Sequence, residues 1–155
     1  MMTKLKEGDK APLFTGIDQH GNTVKLEDYR GKKVVLFFYP KASTPGCTTQ
    51  ACNLRDNEEF FLNNNFQVIG ISADTETRQL NFATKNELNF PLIADVEKDI
   101  IKKFDVWGLK KFMGKEYEGI HRTTFIIDEK GTIESIISKV KTKEHTEQIK
   151  TASNL

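Results

Sequence analysis

The sequence predicts an α/β protein: parallel strands joined by crossover helices in a sandwich, with an N-terminal β-hairpin in front and an antiparallel edge behind. Two observations predict it. Val34 to Tyr39 is a continuous apolar run rich in β-branched and aromatic residues, as expected of a strand covered on both faces, and Phe66 to Ser72 is a second buried-strand candidate. After each comes a polar segment whose apolar residues fall at helical spacing.

In chain order, Leu13 to Leu26 holds two short strand-like pieces around His20-Gly21-Asn22, a hairpin signal. Val34 to Tyr39 is the candidate central strand. From Cys47 to about Asn63 the positions Cys47, Ala51, Leu54, Phe60 and Phe61 predict one helix. Phe66 to Ser72 is the next buried strand, and Leu80, Ala83 and Leu88 give a helical stripe around Glu76 to Glu87. Phe90 to Ala94 reads as a short strand, and Val96, Ile100, Ile101 and Phe104 as the apolar face of a further helix. Val106 to Gly119, with three glycines and no sustained period, reads as a long loop. Thr123 to Ile127 and Thr132 to Ile137 flank Asp128-Glu129-Lys130-Gly131 and predict a hairpin. Lys143 to Lys150 gives a weak final helix. This is the order of a thioredoxin-like sandwich.

Composition narrows the function. Residues 1–155 have the length of one domain, without repeat, linker or low-complexity tract. With 23 Lys+Arg against 22 Asp+Glu, the net charge of +1 gives no general attraction to nucleic acid or anionic lipid. The longest apolar run, Val34 to Tyr39, is too short to span a bilayer. The charged opening MMTKLKEGDKAP lacks a stretch of signal-peptide length, so a cytoplasmic location is expected.

Two cysteines are too few for a secreted disulfide scaffold, but they lie close together in CTTQAC. The informative stretch is Tyr39 to Asp56, YPKASTPGCTTQACNLRD, in which a buried strand ends in Pro40, a loop follows and Cys47 opens a helix. Unpaired amides and the positive end of the helix dipole there favour thiolate over thiol. No Asp or Glu between Thr44 and Arg55 opposes this. Pro45 and Gly46 suit a helix entry, and Gly46 admits close approach of a substrate. Cys52 lies five residues on. In a regular helix its α-carbon is roughly 8 to 9 Å from that of Cys47, whereas a disulfide needs about 4.4 to 6.8 Å. Joining the two therefore requires local unwinding.

These residues resemble the peroxiredoxins, and within them the bacterioferritin comigratory protein or peroxiredoxin Q group. Pro40, Thr44 and Cys47 match the family's Pro-x-x-x-Thr-x-x-Cys pattern, Cys52 matches its downstream cysteine, and the segments VWGLKKFMGKEYEGIHR and IHRTTFIID, both containing Arg122, are also similar. The resemblance covers nearly the whole chain and implies a peroxiredoxin fold. It implies a thiol peroxidase of hydrogen peroxide and organic hydroperoxides in which Cys47 is oxidised to sulfenic acid. Cys52 would resolve that acid as a disulfide, reduced in turn by thioredoxin or a similar dithiol. It also implies that Thr44 hydrogen-bonds thiolate or peroxide, Arg122 supplies positive charge, Pro40 walls off water and the amides of Gly46 and Cys47 bind developing charge. Where many members carry Glu three residues after the reactive cysteine, this chain has Gln50, which can still orient Arg122. No cofactor or metal is implied, and a monomer is expected. The features of oxidation-sensitive members are missing, which implies resistance to overoxidation.

Blander readings stand beside these. Two cytosolic cysteines out of context are more often inert buried residues. Zinc binding would need ligands from His20, His121 and His145, which are scattered. His121 reads as a partly buried strand residue, Trp107, Phe112 and Met113 as local packing, and the lysines from Lys98 to Lys115 as a solvated face. Competing functions are a disulfide oxidoreductase, opposed by the absence of Cys-x-x-Cys, and a redox sensor or holdase using the same cysteine switch.

Overall fold

The computed structural model describes residues 3–155; Met1 and Met2, the start of the charged N-terminal stretch, lie outside the described residues. The chain opens with the expected hairpin, β1 (Thr15–Ile17) against β2 (Thr23–Lys25). Its turn is held by the Asp18 carboxylate, which accepts from the backbone amides of His20 and Asn22 at 2.9 and 3.0 Å.

β3 (Lys33–Phe38) lies at the centre of a five-stranded sheet. On one side it pairs in parallel with β4 (Phe66–Ser72), which pairs in parallel with β5 (Leu92–Ala94). On the other side it pairs antiparallel with β8 (Thr123–Ile127), which pairs with β9 (Ile133–Ile137). The alternation of β3 assigns its two faces. Val34, Leu36 and Phe38 pack with Ile100, Ile101 and Phe104 around α4 (Asp99–Lys103) and with the N-terminal hairpin. Val35 and Phe37 face the other layer of helices. In that layer α1 (Pro45–Asp56) contributes Ala51 and Leu54, α2 (Glu58–Asn63) Phe61, α3 (Glu76–Lys85) Phe82, and α5 (His145–Ala152) Ile149. Both faces of the sheet are thereby covered, as the apolar runs predict.

Two of the predicted elements change, and Leu80 and Val96, expected on apolar helix faces, are exposed. The single helix from Cys47 to Asn63 is two helices, because Asn57 leaves the helical region (φ −109°, ψ 24°) and donates its side-chain amide to Asn53 O at 2.7 Å. The first of them also begins earlier than predicted, with Pro45 in its first turn.

The predicted loop Val106 to Gly119 is a hairpin, β6 (Trp107–Phe112) paired in register with β7 (Lys115–Ile120). Met113 and Gly114 form its two-residue turn with φ of 51° and 80°, the left-handed pair that matches strand twist. Methionine is not a turn signal, which hid the hairpin. So did Gly108 and Gly119, which face each other across the strands. A Cβ on Gly108 would stand 3.1 Å from His121 Nε2, and one on Gly119 3.2 Å from Lys110 Cδ, so both glycines make room for a crossing side chain.

Candidate active site

Strand register assembles the site. Phe38 pairs with Thr123, which places Tyr39 and Pro40 beside Arg122, the residue immediately before β8. The chain then loops through Lys41 to Thr44 and enters α1, whose first turn contains Pro45, Gly46 and Cys47. Cys47 is only 1% exposed and belongs to the apolar cluster under the helices. Arg122, half-buried, donates from Nη2 to Cys47 Sγ at 3.4 Å and from Nη1 to Gln50 Oε1 at 2.6 Å. Gly46 lets Arg122 come close: a Cβ there would lie 3.3 Å from Arg122 Nη2, and the guanidinium would have to give by a few tenths of an ångström.

Thr44 precedes the helix without capping it; its hydroxyl donates to Lys41 O at 2.8 Å. The first helical bond runs from Thr48 N to Thr44 O. The amides of Gly46 and Cys47 precede that ladder and have no partner within the helix. Pro40 is half-buried at the end of the central strand run and has no amide hydrogen to offer.

Cys47 and Cys52 are both free thiols on an intact α1, and they face different surroundings. Cys52 is half-buried, with its sulfur 3.7 Å from Asn86 Oδ1 at the end of α3. Beyond it, Asn53 Nδ2 donates to Lys143 O at 2.9 Å, while Asn53 Oδ1 accepts from Thr146 N at 2.8 Å and from Thr146 Oγ1 at 2.7 Å.

A buried network that the sequence did not disclose holds the loop from the other side. Asp74 Oδ2 accepts from Ala42 N at 2.8 Å and from Ser72 Oγ at 2.6 Å. Gln79 Nε2 donates to Ser72 Oγ at 2.8 Å, and the hydroxyl of Tyr39 donates to Gln79 Oε1. Burial pushes the Tyr39 phenol up, so it remains a donor. Pro40 and Lys41 are thus bracketed by two anchored residues. No motif marks this network; only the register of β3 and β4 brings its members together.

His121 lies between β7 and β8 and not within a strand, and neither it nor His145 is hydrogen-bonded to Cys47. His121 is half-buried, with Nε2 unpartnered, and burial lowers its affinity for a proton. His145 is fully buried between Thr124 and Gln148. Trp107 donates from Nε1 to Glu118 at 3.1 Å. Lys110 departs from the expected solvated face: it is half-buried, and its Nζ donates to Ile120 O at 2.9 Å.

Comparison with known proteins gives the family. The AhpC/TSA family matches residues 7–136. Peroxiredoxin Bcp of Escherichia coli is 48% identical over 144 residues, covering 93% of this chain and 92% of that one. Peroxiredoxin Q of Xylella fastidiosa, solved as a cysteine-to-serine mutant, superposes with a TM-score of 0.91 at 28% identity, covering 98% and 97% of the two chains. Bacterioferritin comigratory protein of Xanthomonas campestris, solved in a study of its alkyl peroxide reduction, gives 0.85 at 30% identity over 91% and 90%. The fold, the helix-entry cysteine and these matches lead to one conclusion: the chain belongs to the AhpC/TSA family, among the peroxiredoxins of the bacterioferritin comigratory protein or peroxiredoxin Q group.

Proposed function

We propose that this thiol peroxidase reduces hydrogen peroxide and organic hydroperoxides through Cys47 and is resolved by Cys52. The observation that carries the reading is the Arg122 guanidinium 3.4 Å from a buried cysteine in the first turn of a helix. In the first step the Cys47 thiolate attacks the terminal peroxide oxygen. An S–O bond forms, the O–O bond breaks, and hydroxide or alkoxide leaves to take a proton from solvent. The cysteine is oxidised to sulfenic acid and the peroxide reduced. Arg122 and the amides of Gly46 and Cys47 meet the charge that moves onto the oxygens. Thr44, whose oxygen keeps acceptor capacity, takes the hydrogen bond of the peroxide. Gln50 orients Arg122, and Pro40 closes the pocket without adding a donor.

In the second step the Cys52 thiolate attacks the Cys47 sulfur, releasing hydroxide and forming a disulfide. The intact helix and the separate partners of the two thiols support the view that α1 unwinds for this step. Thioredoxin or a similar dithiol returns both cysteines to thiols by exchange. The chain works as one domain and as a monomer in the cytoplasm. Among the described residues no helix is long and apolar enough to cross a membrane.

Single-turnover oxidation tests the reading, with one equivalent of hydrogen peroxide added to reduced wild type, Cys47→Ser and Cys52→Ser. The wild type gives the Cys47 to Cys52 disulfide, Cys52→Ser stops at sulfenic acid, and Cys47→Ser leaves the peroxide untouched. Survival of peroxide with all three proteins defeats the proposal.

A further inference from the structure

α3 ends at Asn86 in a closed turn. Glu87 takes the left-handed conformation (φ 52°), its amide donates to Thr84 O at 3.4 Å, and Leu88 N donates to Ala83 O at 2.9 Å. The Asn86 side chain is fixed as well, since Nδ2 donates to Phe82 O at 3.0 Å. Asn57 and Asn64 make the same bond, to Asn53 O and Phe60 O, at the ends of α1 and α2. That half of the Asn86 side chain is thus what a helix end uses; the other half is not. Phe82 O only accepts, so Nδ2 must face it and Oδ1 is left facing Cys52 Sγ at 3.7 Å. Oδ1 also only accepts, which makes the Cys52 thiol the donor.

α1 therefore docks on the end of α3 at two points, both of them on Asn86. Three residues after Cys52, on the same side of the helix, Arg55 Nη1 donates to the backbone oxygen of Asn86 at 2.7 Å. The two bonds differ in what they hold. Arg55 lies beyond the segment that joins the cysteines, so its bond needs no change when that segment unwinds. The bond from Cys52 cannot persist, because the sulfur that must reach Cys47 is tied to α3 while Cys47 Sγ lies 3.4 Å from Arg122.

We propose that Asn86 is the clasp of the resolving thiol: its side-chain oxygen holds Cys52 on α3 until α1 unwinds, and disulfide formation has to break that bond. Asn86 is a positioning residue that acts through Cys52. In the step itself Cys52 leaves Asn86 and gives up its proton, and an S–S bond forms as the S–O bond of the Cys47 sulfenic acid breaks. The oxygen departs as water, Cys52 is oxidised and the Cys47 sulfur is reduced to the disulfide level. The role in resolution rests on the proposed roles of Cys47 and Cys52, whereas the clasp itself is measured without peroxide.

Cys52 lines an open cleft with Thr48, Thr49 and Lys143, where a small reagent reaches it. The experiment follows iodoacetamide alkylation of Cys52 at pH 7 in reduced full-length protein carrying Cys47→Ser, alone and with Asn86→Ala, Asn86→Ser or Asn86→Asp. A serine hydroxyl still donates to Phe82 O but sits nearer the backbone than Oδ1, so the Ala and Ser variants both withdraw the clasp. The Asp variant keeps an acceptor oxygen and loses the donor to Phe82 O. Alkylation rises about threefold in the Ala and Ser variants and does not rise in the Asp variant. With both cysteines present, the first-order formation of the disulfide after one equivalent of hydrogen peroxide speeds up in the same two variants. An unchanged alkylation rate in the Ala and Ser variants overturns the proposal. A rise in Ala alone, or in Asp as much as in Ala, overturns it too, since it assigns the effect to the bond with Phe82. So does faster alkylation without faster disulfide formation. Should the Ala variant unfold by circular dichroism, the Ser and Asp variants carry the comparison. If peroxide survives in the turnover experiment while the alkylation pattern is found, the proposed peroxidase chemistry fails and the clasp on Cys52 stands.

Discussion

Gln50 accepts a 2.6 Å hydrogen bond from Arg122 through Oε1, while its own Nε2, fully buried, has no partner. The guanidinium is therefore oriented without being neutralised. A carboxylate at the same position would hold Arg122 equally well, but it would place a negative charge one helical turn from Cys47. Gln50→Glu is expected to slow the reaction with peroxide about tenfold at pH 7, as the transition-state charge on the oxygens meets a weaker field. Stopped-flow measurement of the second-order rate constant checks this. A rate equal to wild type means that geometry alone, and not the free charge of Arg122, governs the step.

Asp74 is the next point at which a single change reaches the chemistry. Its Oδ2 gathers Ala42 N and Ser72 Oγ in a place where little water can replace it. Asp74→Ala leaves both donors unpaired, which costs roughly 2 kcal/mol and lowers the unfolding midpoint by about 5 °C. The loop through Pro40 and Thr44 then loses its anchor, and the peroxide rate is expected to fall by more than the small loss of folded protein explains. Calorimetry and stopped-flow kinetics on one preparation separate the two effects. Destabilisation with an undiminished rate would show that the loop keeps its shape unaided.

Much of this was legible in the sequence, and the parts that were not have a common cause. The buried strands announced themselves because a strand covered on both faces must be apolar at every position. Cys47 stood out because a proline and glycine before a cysteine mark a helix entry, and Arg122 because its segment matched a family pattern. The β6–β7 hairpin did not, because Gly108 and Gly119 look like loop residues until His121 and Lys110 are seen lying across them. Nor could spacing disclose the Tyr39, Gln79, Ser72 and Asp74 network or the environment of Lys110. Such clusters depend on which strand pairs with which, a long-range fact that no local period records.

His145 gives a pH prediction. Its Nδ1 faces Gln148 Oε1, which only accepts, so Nδ1 carries the proton and Nε2 accepts from the Thr124 hydroxyl at 2.8 Å. Burial is the main cause that lowers its pKa to about 4; the Gln148 bond opposes this and the charge of Arg122 adds to it. Above pH 6.5 neither the folded nor the unfolded chain protonates this residue. Between about 6.5 and 4 the unfolded chain takes up a proton that the folded chain refuses, so stability falls as the pH falls, by roughly 3 kcal/mol in all. His145→Gln is expected to flatten the slope of unfolding free energy against pH between 7 and 5, measured by urea titration. An unaltered slope would assign the acid sensitivity to other groups.

Asn53 concerns the second half of the proposed cycle. Its side chain ties the turn of α1 just after Cys52 to Lys143 and Thr146 through three hydrogen bonds, and one of them satisfies an amide in the first turn of α5. The bond from Cys47 to Cys52 requires the helix between them to unwind, and Asn53 resists unwinding at its far end. Asn53→Ala is expected to lower the unfolding midpoint by about 4 °C and to raise the rate of disulfide formation from the sulfenic acid about threefold. Faster resolution leaves less sulfenic acid for a second peroxide, so sulfinic acid measured by mass spectrometry at high peroxide falls in the same variant. If resolution slows instead, Asn53 holds Cys52 ready for attack, and the rate is set by how the thiol is presented and not by how the helix opens.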